Sequence, residues 1–150
     1  MANLRPTINE ILEPYFSARL EGKKGLTRER IQTVERQLRA CIEAEAERIL
    51  VASDLRLLTA EREFDPAGAV GRVMHADDLV FILSIFVRAP WLPDDPVQRH
   101  RQLQLTDALT GYLLGRRLVD RSELICPLLD IRAGIDRDRR ERRRVRATLR

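Results

Sequence analysis

Apolar residues recur every three or four positions along most of the chain, which is the period of an amphipathic α-helix. Thr7 and Glu10 have the spacing of a capping box and predict the start of a first helix. Its apolar face comprises Ile8, Ile11, Leu12, Tyr15, Phe16 and Leu20. Pro14 predicts a kink or a split within this helix, and the loop from Gly22 to Gly25 ends it.

A second helical pattern is unusually long, because neither glycine nor proline occurs between Leu26 and Asp65. Thr27 is a suitable N-cap for it. Its apolar positions are Ile31, Val34, Leu38, Cys41, Ile42 and Ile49. One uninterrupted helix of about 35 residues would extend roughly 50 Å. Ser53 and Asp54 mark the place where it could break.

The middle of the chain predicts a short helix followed by a buried one. Asp65 and Pro66 have the arrangement of an N-cap and a first helical residue, and the short helix that they begin ends near Arg72. Residues 79–87 are apolar on all sides of a helix except at Ser84. This pattern predicts the central helix of the core.

Two further helices are predicted after the proline-rich loop at residues 90–96. Asp95 and the proline after it begin the first of them, and Gly111 and Gly115 within it predict the close approach of a neighbouring helix. The last helix is predicted to start near Ser122. Its predicted buried residues are Leu124, Ile125, Leu128 and Leu129.

Strand signals are nearly absent, since the sequence has no sustained alternation of apolar and polar residues and no Asn-Gly or Asp-Gly turn. The chain has 150 residues, of which 44% are hydrophobic, enough for one domain with its own core. The sequence therefore predicts an all-α fold: a single multi-helix bundle of five or six helices, one of them long. We expect the bundle to occupy residues 1–131 and a basic helical extension to occupy residues 132–150.

Charge is distributed unevenly along the chain. Residues 132–150 contain nine arginines and three carboxylates, a net charge of +6, whereas residues 1–131 contain 18 basic and 20 acidic residues. A concentrated cation of this kind attracts nucleic acid or an acidic protein surface. The candidate phosphate contacts in this segment are Arg137, Arg139, Arg140, Arg142, Arg143, Arg144 and Arg146. A solvated helix end without a partner is the alternative interpretation.

Residues suited to catalysis or metal binding are scattered. His75 precedes two aspartates at a predicted helix start, where capping accounts for the cluster. His100 lies between two arginines, a setting that favours a polyanion contact or a solvated helix face over a general base. No clustered set of Cys and His ligands and no phosphate-binding glycine loop is present. We therefore expect neither enzymatic activity nor a cofactor or metal.

The N-terminal residues lack the pattern of a signal peptide, and the longest apolar stretch is too short to cross a bilayer. Cys41 and Cys126, the only cysteines, lie in apolar helical contexts. These features predict a cytoplasmic protein that does not act on a membrane. In the proline-stiffened loop, Trp91 and Leu92 form a candidate partner-binding site, because tryptophan is enriched at interface hot spots. Burial of both side chains in the core is the favoured alternative.

Two stretches resemble a known family. The segment Leu26-Thr27-Arg28-Glu29-Arg30-Ile31, and the run from Arg99-His100-Arg101 through Tyr112 to Pro127, are similar to the N-terminal, SAM-like core-binding domain of tyrosine recombinases of the phage integrase type. The family's catalytic domain has no counterpart here. The resemblance implies a non-catalytic DNA clamp. Its implied phosphate contacts are Lys23, Lys24, Arg28, Arg99 and Arg101.

Two functions are compatible with these features. The first is a helical binding module for nucleic acid, with DNA favoured over RNA, that contacts the phosphate backbone. The second is a protein-interaction or assembly subunit, homo- or hetero-oligomeric, whose basic tail docks on an acidic partner.

Overall fold

Seven α-helices follow one another along residues 5–149, the part of the chain that this computed structural model describes. They are α1 (Ile8–Leu20), α2 (Gly25–Ile49), α3 (Ala52–Phe64), α4 (Ala69–Val73), α5 (Ala76–Phe86), α6 (Pro96–Gly115) and α7 (Ile125–Thr148). Within this range there is no strand, and Thr7 and His75 form one isolated antiparallel bridge. The prediction of a single all-α bundle is confirmed, with more helices than the five or six expected.

The additional helix comes from a break in the long region that lacks glycine and proline. α2 ends at Ile49, because Leu50 and Val51 adopt extended backbone with ψ angles of 141° and 164°. Leu50 thereby turns into the core, where it is only 9% exposed. The break does not lie at Ser53 and Asp54, which fall in the first turn of α3. The prediction of one helix of about 35 residues was therefore wrong, because burial of Leu50 outweighs the local preference for a continuous helix.

Several helices also begin at residues other than those predicted. α2 begins at Gly25 with Lys24 at the N-cap, and not after Thr27. α1 continues through Pro14 without splitting, and the predicted capping box of Thr7 and Glu10 is present. The short helix α4 begins at Ala69, after Gly68 in a left-handed conformation.

The core is organised around α5, as its apolar sequence predicted. α5 packs against α1, α2, α6 and α7. Its fully buried hydrophobic side chains include Leu79, Val80, Ile82, Leu83 and Phe86. Phe81 is 41% exposed, and Ile85 is partly buried. At the N-terminus of α5, the Asp78 carboxylate accepts a hydrogen bond from the His75 backbone at 3.0 Å, so the capping role predicted for this cluster is confirmed. Burial raises the pKa of Asp78.

α7 packs against α5 and α6, and at Gly134 it approaches the end of α5 closely. A Cβ added to Gly134 would lie 2.6 Å from Val87 Cγ2, so only glycine fits there. Gly111 and Gly115 have open space where a Cβ would stand. The close helix approach was thus predicted at the wrong glycines, because glycine spacing alone does not indicate which face of a helix is buried.

The first turns of α7 differ from their prediction. The helix starts at Ile125 and not at Ser122, and Leu124 is buried as predicted. Ile125 and Leu129 are 52% and 62% exposed, so their predicted burial was wrong. The boundary expected between residues 131 and 132 falls inside α7, which continues without interruption to Thr148.

Candidate nucleic-acid interface

The arginine-rich segment is the second half of α7, and its side chains have three different environments. The inward stripe of the helix consists of Ile131, Gly134, Ile135 and Asp138, all of them buried. At 3.6 residues per turn the same stripe continues through Arg142, Val145 and Leu149. All residues from 143 to 149 are exposed. The bundle therefore covers one face of α7 as far as Arg142 and none beyond it.

One group of arginines is neutralised by carboxylates. Arg132 forms an ion pair with Asp107 of α6 at 2.7 Å, and Arg139 lies 3.7 Å from the same carboxylate. Asp136 on α7 lies 3.8 Å from Arg132 and 4.0 Å from Arg139. The charge of Arg139, a predicted phosphate contact, is thus partly neutralised within the protein.

A second group lies where the start of α6 meets α7. The Arg142 guanidinium donates to Nδ1 of His100, and Arg99 lies 4.0 Å from the Glu141 carboxylate. Desolvation lowers the pKa of His100, and the positive charge of Arg142 lowers it further. The imidazole is therefore kept neutral and able to accept the hydrogen bond from Arg142. These contacts tie the last covered turn of α7 to α6.

The remaining arginines of α7 have no carboxylate within 4.0 Å among residues 5–149. We refer to this set as the α7 cationic face: Arg137, Arg140, Arg143, Arg144 and Arg146. At 100° per residue these positions span about half the circumference of the helix. All five are exposed. The only carboxylate within this arc, Asp136, is held by Arg132 and Arg139.

The basic residues near the start of α2 are only partly available. Lys23 and Lys24 are exposed in the turn between α1 and α2, where Gly22 and Gly25 have positive φ angles of 74° and 60°. Arg28 instead donates to the Leu20 carbonyl at 3.1 Å and satisfies the end of α1. Lys23 and Lys24 therefore remain candidates for a phosphate contact, whereas Arg28 has a structural partner.

The two arginines predicted on α6 also have partners. Arg99 Nε donates to the Pro93 carbonyl at 2.9 Å, in addition to its contact with Glu141. Arg101 donates to Gln104 at 3.3 Å. The structure brings Arg101 and Arg139 close enough to His100 to affect its pKa, so these arginines border the covered end of α7.

The predicted partner-binding residues, Trp91 and Leu92, are half-buried and pack against the core. Trp91 Nε1 donates a hydrogen bond to the Glu45 carboxylate of α2 at 3.3 Å. The side-chain amide of Gln102 donates one to the Trp91 carbonyl at 3.0 Å. Most of the surface of both side chains is covered by the core, as the alternative interpretation expected. Whether the exposed remainder binds a partner stays a prediction.

An open cleft of about 870 Å³ lies elsewhere, between the start of α5 and the loop before α7. Its charged lining residues are Arg5, Arg117, Arg121, Asp77, Asp120 and Glu123, together with His75. The three arginines and three carboxylates cancel, which makes this cleft a weaker anion site than the α7 cationic face. Among the described residues no group of His, Cys, Asp and Glu side chains is placed to hold a metal ion.

Asp107, the counter-ion of Arg132 and Arg139, was not predicted from the sequence. It is 25 and 32 residues away from them, and only the antiparallel packing of α6 and α7 brings the three together. Its position on the α6 face next to the buried Thr106 and Thr110 is the one signal that could have indicated a contact with another helix.

Comparisons with known proteins identify no relative. No protein-family model matches the sequence, no curated protein is detectably similar to it, and no solved structure matches its fold. The resemblance to the core-binding domain of tyrosine recombinases therefore stays a prediction. None of the helices between residues 5 and 149 combines the length and the hydropathy needed to cross a membrane.

Proposed function

We propose that this protein is a non-catalytic module that binds duplex DNA through contacts between the α7 cationic face and the phosphate backbone. The observation that carries the proposal is the set of five exposed arginines without ion-pair partners in the described part of the chain. An unpaired guanidinium keeps its full attraction for phosphate and can bind it through two hydrogen bonds.

The shape of this region favours DNA over RNA. An α-helix with its side chains is about 10–12 Å across, and the major groove of B-DNA is about 12 Å wide. The major groove of A-form RNA is too deep and narrow for a helix. Residues 143–149 are exposed on all sides, so this end of α7 can enter a groove without moving the bundle. Lys23 and Lys24 offer additional phosphate contacts.

A second candidate function is an assembly subunit that docks its basic helix on an acidic protein. Val145 and Leu149, which are 59% and 82% exposed, favour it. They continue the inward stripe of α7 beyond the bundle and would present an apolar strip between arginines to a partner. Binding of phosphate alone does not require these two side chains.

The test is fluorescence anisotropy of a labelled DNA duplex titrated with protein at several salt concentrations. The variant Arg140→Gln/Arg143→Gln/Arg144→Gln removes three charges from the α7 cationic face. We expect the slope of log affinity against log salt to become shallower by about 2.7, or about 0.9 for each phosphate that the variant no longer neutralises. The matched control, Arg5→Gln/Arg36→Gln/Arg121→Gln, removes the same charge from exposed arginines outside α7.

Equal decreases of affinity in the two variants would show that only net charge matters and would refute the proposed surface. Val145→Ser/Leu149→Ser separates the two functions, because it should leave DNA binding unchanged. A protein that binds polyglutamate as tightly as DNA, and no longer does so in Val145→Ser/Leu149→Ser, would favour the assembly subunit instead.

A further inference from the structure

α3 is the helix least engaged with the bundle. It packs mainly against α4, and Leu58 is its single buried residue. The opposite side of the helix exposes 54% of Leu57 and 86% of Phe64. Phe64 is the most exposed of the large hydrophobic side chains described. An aromatic side chain in this position is unfavourable in water unless something covers it.

The exposed residues of α3 form a regular stripe. Ser53, Leu57, Ala60 and Phe64 are spaced by four, three and four residues, which is the spacing of the a and d positions of a coiled coil. All four are exposed. The small side chains of Ser53 and Ala60 alternate with the large ones, so another helix can approach closely along the stripe.

The charges along one edge of this stripe indicate which helix fits. Arg56 and Glu63 are seven residues apart on the same edge, in the g positions. Both are exposed, and neither forms an ion pair within residues 5–149. In an antiparallel pair of identical helices centred on Ala60, Arg56 of each copy faces Glu63 of the other. The two-fold axis therefore generates two such ion pairs, and the charges of Arg56 and Glu63 in both copies are neutralised.

We propose that α3 is a self-association surface that pairs antiparallel with α3 of a second copy of this chain. The pairing brings Leu57 of one copy against Phe64 of the other and removes both from water. The opposite edge carries two carboxylates, Asp54 and Glu61. They oppose the pairing only in part, because Glu61 is bound by Arg72 within the chain at 2.7 Å and Asp54 is half-buried.

The expected dimer is weak. Thirteen residues of helix extend only about 20 Å, and such a contact buries less than the roughly 1,200–2,000 Å² of a stable standard interface. We therefore expect a reversible equilibrium between monomer and dimer that depends on protein concentration.

The first experiment is sedimentation equilibrium of the full chain from about 1 µM to about 1 mM. The average mass should rise from the 17.4 kDa of the monomer towards twice that value. Leu57→Ser/Phe64→Ser should remain monomeric, while the control Leu26→Ser, which removes a 69% exposed side chain from α2, should behave as wild type. A wild-type protein that stays monomeric, or a dimer unaffected by Leu57→Ser/Phe64→Ser, overturns the proposal.

Charge reversal tests the antiparallel arrangement. Arg56→Glu and Glu63→Arg should each weaken the dimer about tenfold, because each places like charges opposite one another twice. The combined variant should restore the wild-type affinity. In a parallel pair Arg56 would instead face Glu61, so Glu63→Arg would have little effect and the combined variant would not recover.

Cysteine crosslinking gives an independent check, in a Cys126→Ser background that leaves only the buried Cys41. Ala60→Cys should form an intermolecular disulfide on oxidation. Ser53→Cys should not, because two antiparallel copies hold this position about 20 Å apart. Crosslinking through Ser53→Cys would refute the antiparallel pairing. The arginine variants of the α7 cationic face should dimerise normally, so this proposal and DNA binding can fail separately.

Discussion

The two halves of α7 belong to one continuous helix and have opposite relations to the bundle. From Ile125 to Asp138 the helix packs on α5 and α6, and Gly134 approaches Val87 too closely for any side chain. From residue 143 to residue 149 every side chain is exposed, although Val145 and Leu149 lie on the same stripe as Ile131 and Ile135. Helical periodicity therefore continues where packing has stopped.

The difference teaches how one helix can stabilise the bundle with one half and leave the charges of the other half exposed. Carboxylates lie where the two halves meet: Asp107, Asp136 and Glu141 each approach an arginine within 4.0 Å. They neutralise the charges that lie against the bundle. The arginines of the α7 cationic face, on the outer side of the packed half and on the exposed half, are left to solvent, where their charge costs little in desolvation.

A substitution at Gly134 should destabilise the packed half of α7 more than the other changes proposed below. Gly134→Ala should lower the free energy of unfolding by about 1–3 kcal/mol, because the added Cβ overlaps Val87. The identical change at Gly111 has open space and should raise it by about 0.5–1 kcal/mol through higher helix propensity. Urea denaturation of both variants measures the contrast. If both substitutions stabilise the protein, α7 does not pack closely on α5.

Removal of the Asp107 carboxylate tests the ion pairs at the boundary between the two halves of α7. Asp107→Asn removes the closer of the two carboxylates that Arg132 and Arg139 share and leaves them only Asp136, and we expect a decrease in stability of about 0.2–1 kcal/mol because these ion pairs are partly exposed. Affinity for DNA should rise a few-fold, since Arg139 loses its closer counter-ion. Chemical denaturation and the anisotropy titration measure the two effects. Glu13→Gln, at an exposed carboxylate on α1, is the control for the change in net charge. An equal rise in DNA affinity in this control would show that Arg139 was not released.

The exposed half should contribute little to stability. Within residues 5–149, the side chains from 143 onwards form no ion pair or hydrogen bond with another helix, so a chain truncated after Arg142 keeps all such links. Its free energy of unfolding should stay within about 0.5 kcal/mol of the full chain. A larger decrease, measured by urea denaturation, would mean that the end of α7 packs on the bundle in solution.

The smallest effect concerns pH at the contact between His100 and Arg142. Desolvation and Arg142 lower the pKa of His100 in the folded chain, while Asp138 raises it. In the unfolded chain His100 has its ordinary pKa of about 6.5, so there it takes up a proton at a higher pH than in the folded chain. Stability from this group is complete above that value and is lost as pH falls through the lowered folded pKa.

His100→Gln should remove this part of the pH dependence. The free energy of unfolding of the wild type relative to the variant, measured between about pH 5 and pH 7, should increase with pH. The raised pKa values of Glu43 and Asp78, both caused mainly by burial, affect the two proteins equally and cancel in the difference. A flat difference would show that His100 titrates alike in folded and unfolded chains.

The local features of this protein were determined by its sequence. The capping box at Thr7 and the helix start at Asp95 follow from interactions within a few residues, and the burial of α5 follows from its apolar composition. Each is found as predicted. Charge segregation was equally evident, because the number and order of arginines do not depend on the fold.

Only the tertiary structure decided the features that depend on distant residues. The end of α2 at Ile49 depends on burying Leu50, and the choice of Gly134 over Gly111 as a packing site depends on where Val87 lies. Which arginines remain unpaired depends on Asp107 reaching α7 from α6. Packing and ion pairing join positions far apart in sequence, and helical periodicity carries no information on which helices meet.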